Sequence, residues 1–223
     1  MFRSLRPSLE FTDRHAAGTA LAERLKEFAG RSDVVVLALP RGGVPVAYEV
    51  ARALNAPLDV FVVRKLGVPG HEELAMGAIA SGDVRVLNQD VLAWYRLTES
   101  DVDAVARLEK AELERRERLY RGGRSLVPIE GRVVIVIDDG LATGSTMRAA
   151  VEAVRRLKPS QIVVAVPVGA RDTCDQLRQV ADDAICLMMP ASFSAVGQWY
   201  LDFSQTTDDD VRRLLASVDQ DRA

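Results

Sequence analysis

Val133-Val134-Ile135-Val136-Ile137-Asp138-Asp139-Gly140-Leu141-Ala142-Thr143-Gly144-Ser145-Thr146 is the stretch that decides the fold. Five apolar β-formers in a row predict a strand covered on both faces, which belongs inside a parallel sheet. The strand stops at two adjacent carboxylates. A turn of glycine, threonine and serine follows, and a helix is predicted to begin near Gly144, burying Met147, Val151, Val154 and Leu157.

Working outward, helix and strand alternate. Asp13 is a candidate N-cap for a helix carrying Leu21, Leu25 and Phe28. Asp33 to Leu39 reads as a buried strand, broken by Pro40-Arg41-Gly42-Gly43. A helix through Val46, Val50 and Leu54 is predicted to end near Asn55 and Pro57, and Leu58 to Val63 is a second strand. Arg64 to Ala75 has loop character, and Met76 to Leu87 predicts two short strands around Ser81-Gly82-Asp83. Thr98 to Arg121 predicts the longest helix, stopped by Gly122-Gly123. Its Glu112–Arg116 and Glu114–Arg118 pairs mark a solvated face, each contributing about 0.2–0.5 kcal/mol. Downstream come a strand at Gln161–Pro167, a helix at Arg171–Ala181 and a last strand at Ala184–Met188. Strands joined by helix-length crossovers imply an α/β fold: an open, mainly parallel sheet with helices on both faces.

The 223 residues form one expected domain, 1–223, with a core at about 30–188. A small hood is expected from 189–205, with the N-terminal segment as a candidate addition. Lys+Arg 29 against Asp+Glu 32 gives a net charge of −3. That balance excludes a disordered chain and argues against a nucleic-acid partner, which needs an excess of positive charge. No apolar run is long enough for a membrane span. Met1 to Arg14 has no apolar leader segment, so the expected location is the cytoplasm. Cys174 and Cys186, the only cysteines, are read as two small buried hydrophobes.

Ligands of open parallel sheets bind at the carboxyl ends of the strands, and three loops there are unusual. In Ile137–Thr146, the start of a helix offers unpaired N–H groups and partial positive charge, suited to a phosphate. The two acids would repel that anion, so they need another partner. Vicinal sugar hydroxyls fit, since carboxylates accept strong hydrogen bonds from them. A sugar phosphate satisfies both halves. The loop is neither a Walker loop nor a dinucleotide fingerprint, lacking Gly-Lys-Ser/Thr and the glycine spacing respectively. In Leu39-Pro40-Arg41-Gly42-Gly43, glycines allow close backbone approach and Arg41 adds positive charge. In Val63 to Glu73, Arg64 and Lys65 suit an anion and the following glycines suit a lid. His71 in this loop is read as exposed and without a catalytic part.

Val134 to Thr146 resembles the signature of type I phosphoribosyltransferases. Leu-Pro-Arg-Gly-Gly, Val-Arg-Lys-Leu-Gly and Ala195 to Phe203 also resemble a group of stand-alone bacterial proteins of that kind, so the likeness spans nearly the whole chain. The resemblance implies transfer of the 5-phosphoribosyl group from 5-phosphoribosyl 1-pyrophosphate (PRPP) to a nucleobase or similar nitrogen acceptor. Asp138 and Asp139 would be the catalytic residues and the ribose ligands, with Ala142, Thr143, Gly144, Ser145 and Thr146 around the 5-phosphate. Arg41, Gly42, Gly43, Arg64 and Lys65 would bind pyrophosphate. Mg²⁺ is implied as cofactor, held mainly by PRPP oxygens and water rather than by a protein site. A homodimer is a further family-based expectation.

Ala142 stands where some purine enzymes carry an acid, so the motif names no general base. The acceptor should lie under the hood at Pro190–Phe203, where Phe193, Trp199, Tyr200 and Phe203 cluster. These rings are read as pinning the hood to the core in preference to stacking on a base. Two other functions fit parts of the sequence. One is a PRPP sensor that kept the cradle and lost the chemistry; the other is a metal-dependent phosphatase, for which further acidic ligands are not evident.

Overall fold

Val133–Ile137 (β6) is the central strand of a five-stranded parallel sheet, in a computed structural model that describes residues 10–221. Its neighbours are Val34–Ala38 (β1) on one side and Gln161–Val168 (β7) on the other. Leu58–Val60 (β2) and Asp183–Met188 (β8) complete the order β2-β1-β6-β7-β8. The expected strands are all present, most within a residue or two of their predicted ends. The part of the N-terminal stretch before residue 10 lies outside the described residues.

Strand alternation divides the core in two. Val34, Val36, Ile135, Ile137, Val163 and Ala165 face a layer containing Arg14–Arg24 (α1), Gly43–Leu54 (α2) and Asp208–Asp221 (α7). Val35, Leu37, Val134, Val136, Ile162 and Val164 face Ser145–Arg156 (α5) and Arg171–Leu177 (α6). This is the expected sheet with helices on both faces. Asp13 caps α1 by accepting a bond from the Ala16 N–H at 2.8 Å. Asn55 closes α2 in the left-handed conformation, φ 53°.

Arg64 to Ala75 is not a loop. Val63–Val68 (β3) and His71–Ala80 (β4) form an antiparallel hairpin, joined by Val84–Leu87 (β5) in a second, three-stranded sheet. The glycines that suggested a flexible loop have other uses. Gly70 makes the tight turn at φ 78°, and Gly67 sits at a break in the ladder, where a methyl group would lie 2.6 Å from the Glu72 carbonyl. Leu66 and Val68 alternate inward, a period of two hidden by the charged Arg64 and Lys65 before them and by Gly67 between them. His71 is exposed, as expected, with its ring 5.5 Å from that of Tyr95. A short helix, Gln89–Tyr95 (α3), precedes Glu99–Arg121 (α4), whose start is a capping box on Thr98 and whose end is Gly122 at φ 60°. The Glu112–Arg116 pair forms at 2.7 Å and the Glu114–Arg118 pair at 3.6 Å.

The cysteines depart from expectation. Cys174 of α6 and Cys186 of β8 are joined as a disulfide, with Cα atoms 6.6 Å apart. The α6–β8 connection turns the two residues toward one another, a proximity their spacing does not reveal. No helix among the described residues is long and apolar enough to cross a membrane.

Candidate active site

The site forms because β1 and β6 end level. Ala38 pairs with Ile137, and the Leu39 N–H donates to the Ile137 carbonyl at 2.8 Å. The Pro40–Gly43 turn is thereby set against Asp138 and Asp139. Only glycine fits at this junction. A methyl on Gly43 would lie 2.7 Å from the Ile137 carbonyl oxygen and 2.9 Å from Asp138 Cα.

The two acids are partly buried. Asp139 keeps the parity of Ile135 and Ile137, so it emerges on the face covered by α1 and α2. There it accepts a hydrogen bond from Arg14 Nε at 2.8 Å. Asp138 Oδ1 accepts the Asp139 N–H at 2.9 Å. Burial, then the charge of Asp139, holds the Asp138 carboxyl well above the ordinary carboxylate range. Burial also raises Asp139, while Arg14 pulls it back.

The turn after the acids is anchored from below and open above. Thr173 Oγ1 donates to the Ala142 carbonyl at 2.8 Å, and Arg148 Nη2 donates to the Thr143 carbonyl at 2.8 Å. Carbonyl oxygens repel anions, and these two are occupied. Gly144 takes φ 68° and packs on Thr173, where a methyl would lie 2.5 Å from Thr173 Cγ2. Ala142, Thr143, Ser145 and Thr146 are exposed at the start of the twelve-residue helix α5. N–H groups, hydroxyls and the positive end of the helix converge there, which is the chemistry of a phosphate seat.

Arg41 lies 3.8 Å from the Asp208 carboxylate of α7, which also accepts the Tyr120 hydroxyl at 2.8 Å. Burial first, and that bond second, push the Tyr120 phenol up to about 12. Arg64 and Lys65 lie in β3 of the second sheet, Arg64 paired with Glu109 at 2.6 Å and Lys65 with Glu73 at 3.4 Å.

A wall of the site comes from the segment after β8. The Phe11 N–H donates to the Trp199 carbonyl at 2.9 Å, and the Leu201 and Asp202 N–H groups donate to Phe11 and Thr12. Tyr200 is buried with Ala17 and Val168, and its hydroxyl donates to the Asp139 backbone carbonyl at 2.5 Å. Phe193 and Trp199 pack against the same cluster, so these rings pin the segment down. Gly140 admits Val196 so closely that a methyl would lie 2.5 Å from Val196 Cγ1. Arg14, Thr173, Arg148 and Asp208 escaped the sequence reading, since each reaches the site from a distant element with no local motif around it.

A family model described as "Phosphoribosyl transferase domain" matches residues 10–203. A Mycobacterium tuberculosis (strain H37Rv) protein named "Putative phosphoribosyl transferase Rv0571c" is 49% identical over 213 residues, covering 96% of this chain and 48% of that protein. The chain therefore spans about half the length of the curated relatives it matches. Among solved structures, TT1426 from Thermus thermophilus is 42% identical with a TM-score of 0.83, covering 93% of this chain and 98% of that one.

Proposed function

The chain belongs to the phosphoribosyl transferase domain family, and on that premise we propose that it moves the 5-phosphoribosyl group of PRPP to a nucleobase or similar nitrogen acceptor. The observation that carries the reading is the junction of β1 and β6. It puts two carboxylates, a glycine turn with a cation and an open helix N-terminus within one small region. A pentose bearing phosphate at one end and pyrophosphate at the other presents the complementary groups in the same order.

Asp138 and Asp139 accept hydrogen bonds from the ribose hydroxyls and favour positive charge on the ring. The Ala142–Thr146 turn receives the 5-phosphate through its amides and hydroxyls. Arg41 with the Gly42–Gly43 backbone receives pyrophosphate, an exchange in which Arg41 leaves its half-exposed partner Asp208. Arg64 and Lys65 reach the same group by giving up Glu109 and Glu73. The acceptor nitrogen forms a bond to C1 as the C1–O bond breaks, and pyrophosphate departs with the electron pair. The donor set fits Mg²⁺, a hard cation that binds one or two carboxylates together with substrate phosphates and water. The carboxylates available to it are Asp138 and Asp139, and when bound it would supply charge neutralisation at the leaving pyrophosphate.

The test is release of pyrophosphate from PRPP and Mg²⁺ across a panel of purine and pyrimidine bases, beside calorimetric PRPP binding. Turnover with one base supports the transferase. PRPP binding with no turnover across the panel supports a sensor instead. Asp138→Asn should weaken PRPP binding at least tenfold, and unchanged affinity would overturn the assignment of the acids.

A further inference from the structure

Arg14 is nine-tenths buried although it is the first residue of α1, where an arginine would ordinarily extend into water. Its side chain is engaged through two of its nitrogens. Nε donates to Asp139 Oδ2 at 2.8 Å, and Nη1 donates to the Ser204 carbonyl at 2.8 Å. The guanidinium lies 3.9 Å from the centre of the Phe203 ring and 5.9 Å from that of Tyr200. Tyr200 in turn holds the Asp139 backbone carbonyl. Residues 200–204 and the start of α1 thus grip Asp139 twice, once at its carboxylate and once at its main chain.

A buried guanidinium is costly unless its partner carries a full negative charge. Arg14 therefore favours the ionised form of Asp139, against the burial that would protonate it. It also commits Oδ2, which leaves Oδ1 as the oxygen to accept a hydroxyl. We propose that Arg14 is a positioning residue for Asp139: it holds the carboxylate aimed at the sugar, and makes seating of the 200–204 segment a condition for donor binding. This role rests on the PRPP reading of the site. The guanidinium fork suits it, since one planar group reaches the carboxylate, the Ser204 carbonyl and the Phe203 face together. The groups facing Asp139 are Asp138 from its own loop, Arg14 from α1 and Tyr200 from the following segment.

Calorimetric PRPP binding with Mg²⁺ tests the proposal. Arg14→Met should weaken it at least tenfold in the native background and less than twofold beside Asp139→Asn. Arg14→Lys carries both comparisons where the methionine variant does not fold: it should bind PRPP more weakly than the native chain only while Asp139 is present. An arginine that merely pins the segment would weaken binding equally in both backgrounds, which overturns the proposal alone. No PRPP binding by the unaltered chain overturns the ribose reading, and the sugar-directed role with it.

Discussion

Gly42 and Asp139 touch across the gap between two strand ends: a methyl group on Gly42 would lie 2.7 Å from Asp139 Cγ. The backbone of Gly42 is ordinary, φ −60°, so alanine meets no conformational objection there. The objection is the carboxylate. Relief requires Asp139 to swing off Arg14 or the Pro40–Gly43 turn to retreat. Gly42→Ala should therefore cost about 1–3 kcal/mol of stability, as overpacking does. It should also weaken PRPP binding at least tenfold in calorimetry. Native affinity in this variant would show that the two loops move independently.

Arg121 illustrates a buried pair whose loss is felt by stability. Its Nε donates to Asp59 Oδ1 at 2.9 Å and its Nη2 to the Val60 carbonyl at 2.6 Å, with Ser81 and Glu117 completing its surroundings. Asp59 also accepts the Val127 N–H at 3.0 Å. Removing the cation strands a buried carboxylate, so Arg121→Met should cost about 3–5 kcal/mol in urea unfolding. Adding Asp59→Asn to that variant should recover part of the loss. A cost below about 1 kcal/mol would mean that Asp59 is solvated.

The sheet and the phosphate turn were legible because their signals are local. The Val133–Ile137 run and the Asp-Asp-Gly-Leu-Ala-Thr-Gly string each fit inside one element and its exit. The hairpin was missed because Pro69, Gly70 and the charges around Leu66 mimic a loop, whereas its alternation is visible only once inward positions are known. Arg14 and Arg121 look like the ordinary end residues of polar helices. Their burial follows from which helix face meets the sheet, and in Arg14's case from a segment nearly two hundred positions away. The disulfide was missed for the same reason, since contact between α6 and β8 is a property of the crossover.

That disulfide closes a separation of 12 residues. In the chain-entropy account a loop of this size stabilises by about 3 kcal/mol. Cys186→Ser should lower the melting temperature of air-oxidised protein by several degrees, at roughly 2–4 °C per kcal/mol for a chain of this length. Reductant should produce the same fall in the native protein and none in the variant. Superimposable oxidised and reduced melting curves would mean that the two sulfurs are not bonded in solution.

Asp138 should be a burden to the fold at neutral pH. Burial, followed by the charge of Asp139, holds its carboxyl well above the ordinary aspartate value of 3.8, opposed only by the Asp139 N–H and by Arg14. Between those two values the folded chain binds more protons than the unfolded one, so stability falls as pH rises. The contribution is complete below 3.8 and is lost on passing the raised value. An asparagine at this position would have the same shape, could still accept the Asp139 N–H and would carry no charge. Asp138→Asn should therefore melt higher than the native chain at pH 7–8, with the gap closing toward pH 4, even as PRPP binding falls. Opposite movement of stability and affinity is what a residue retained for binding predicts. A melting difference that ignores pH would place Asp138 in contact with water and remove the electrostatic part of the argument.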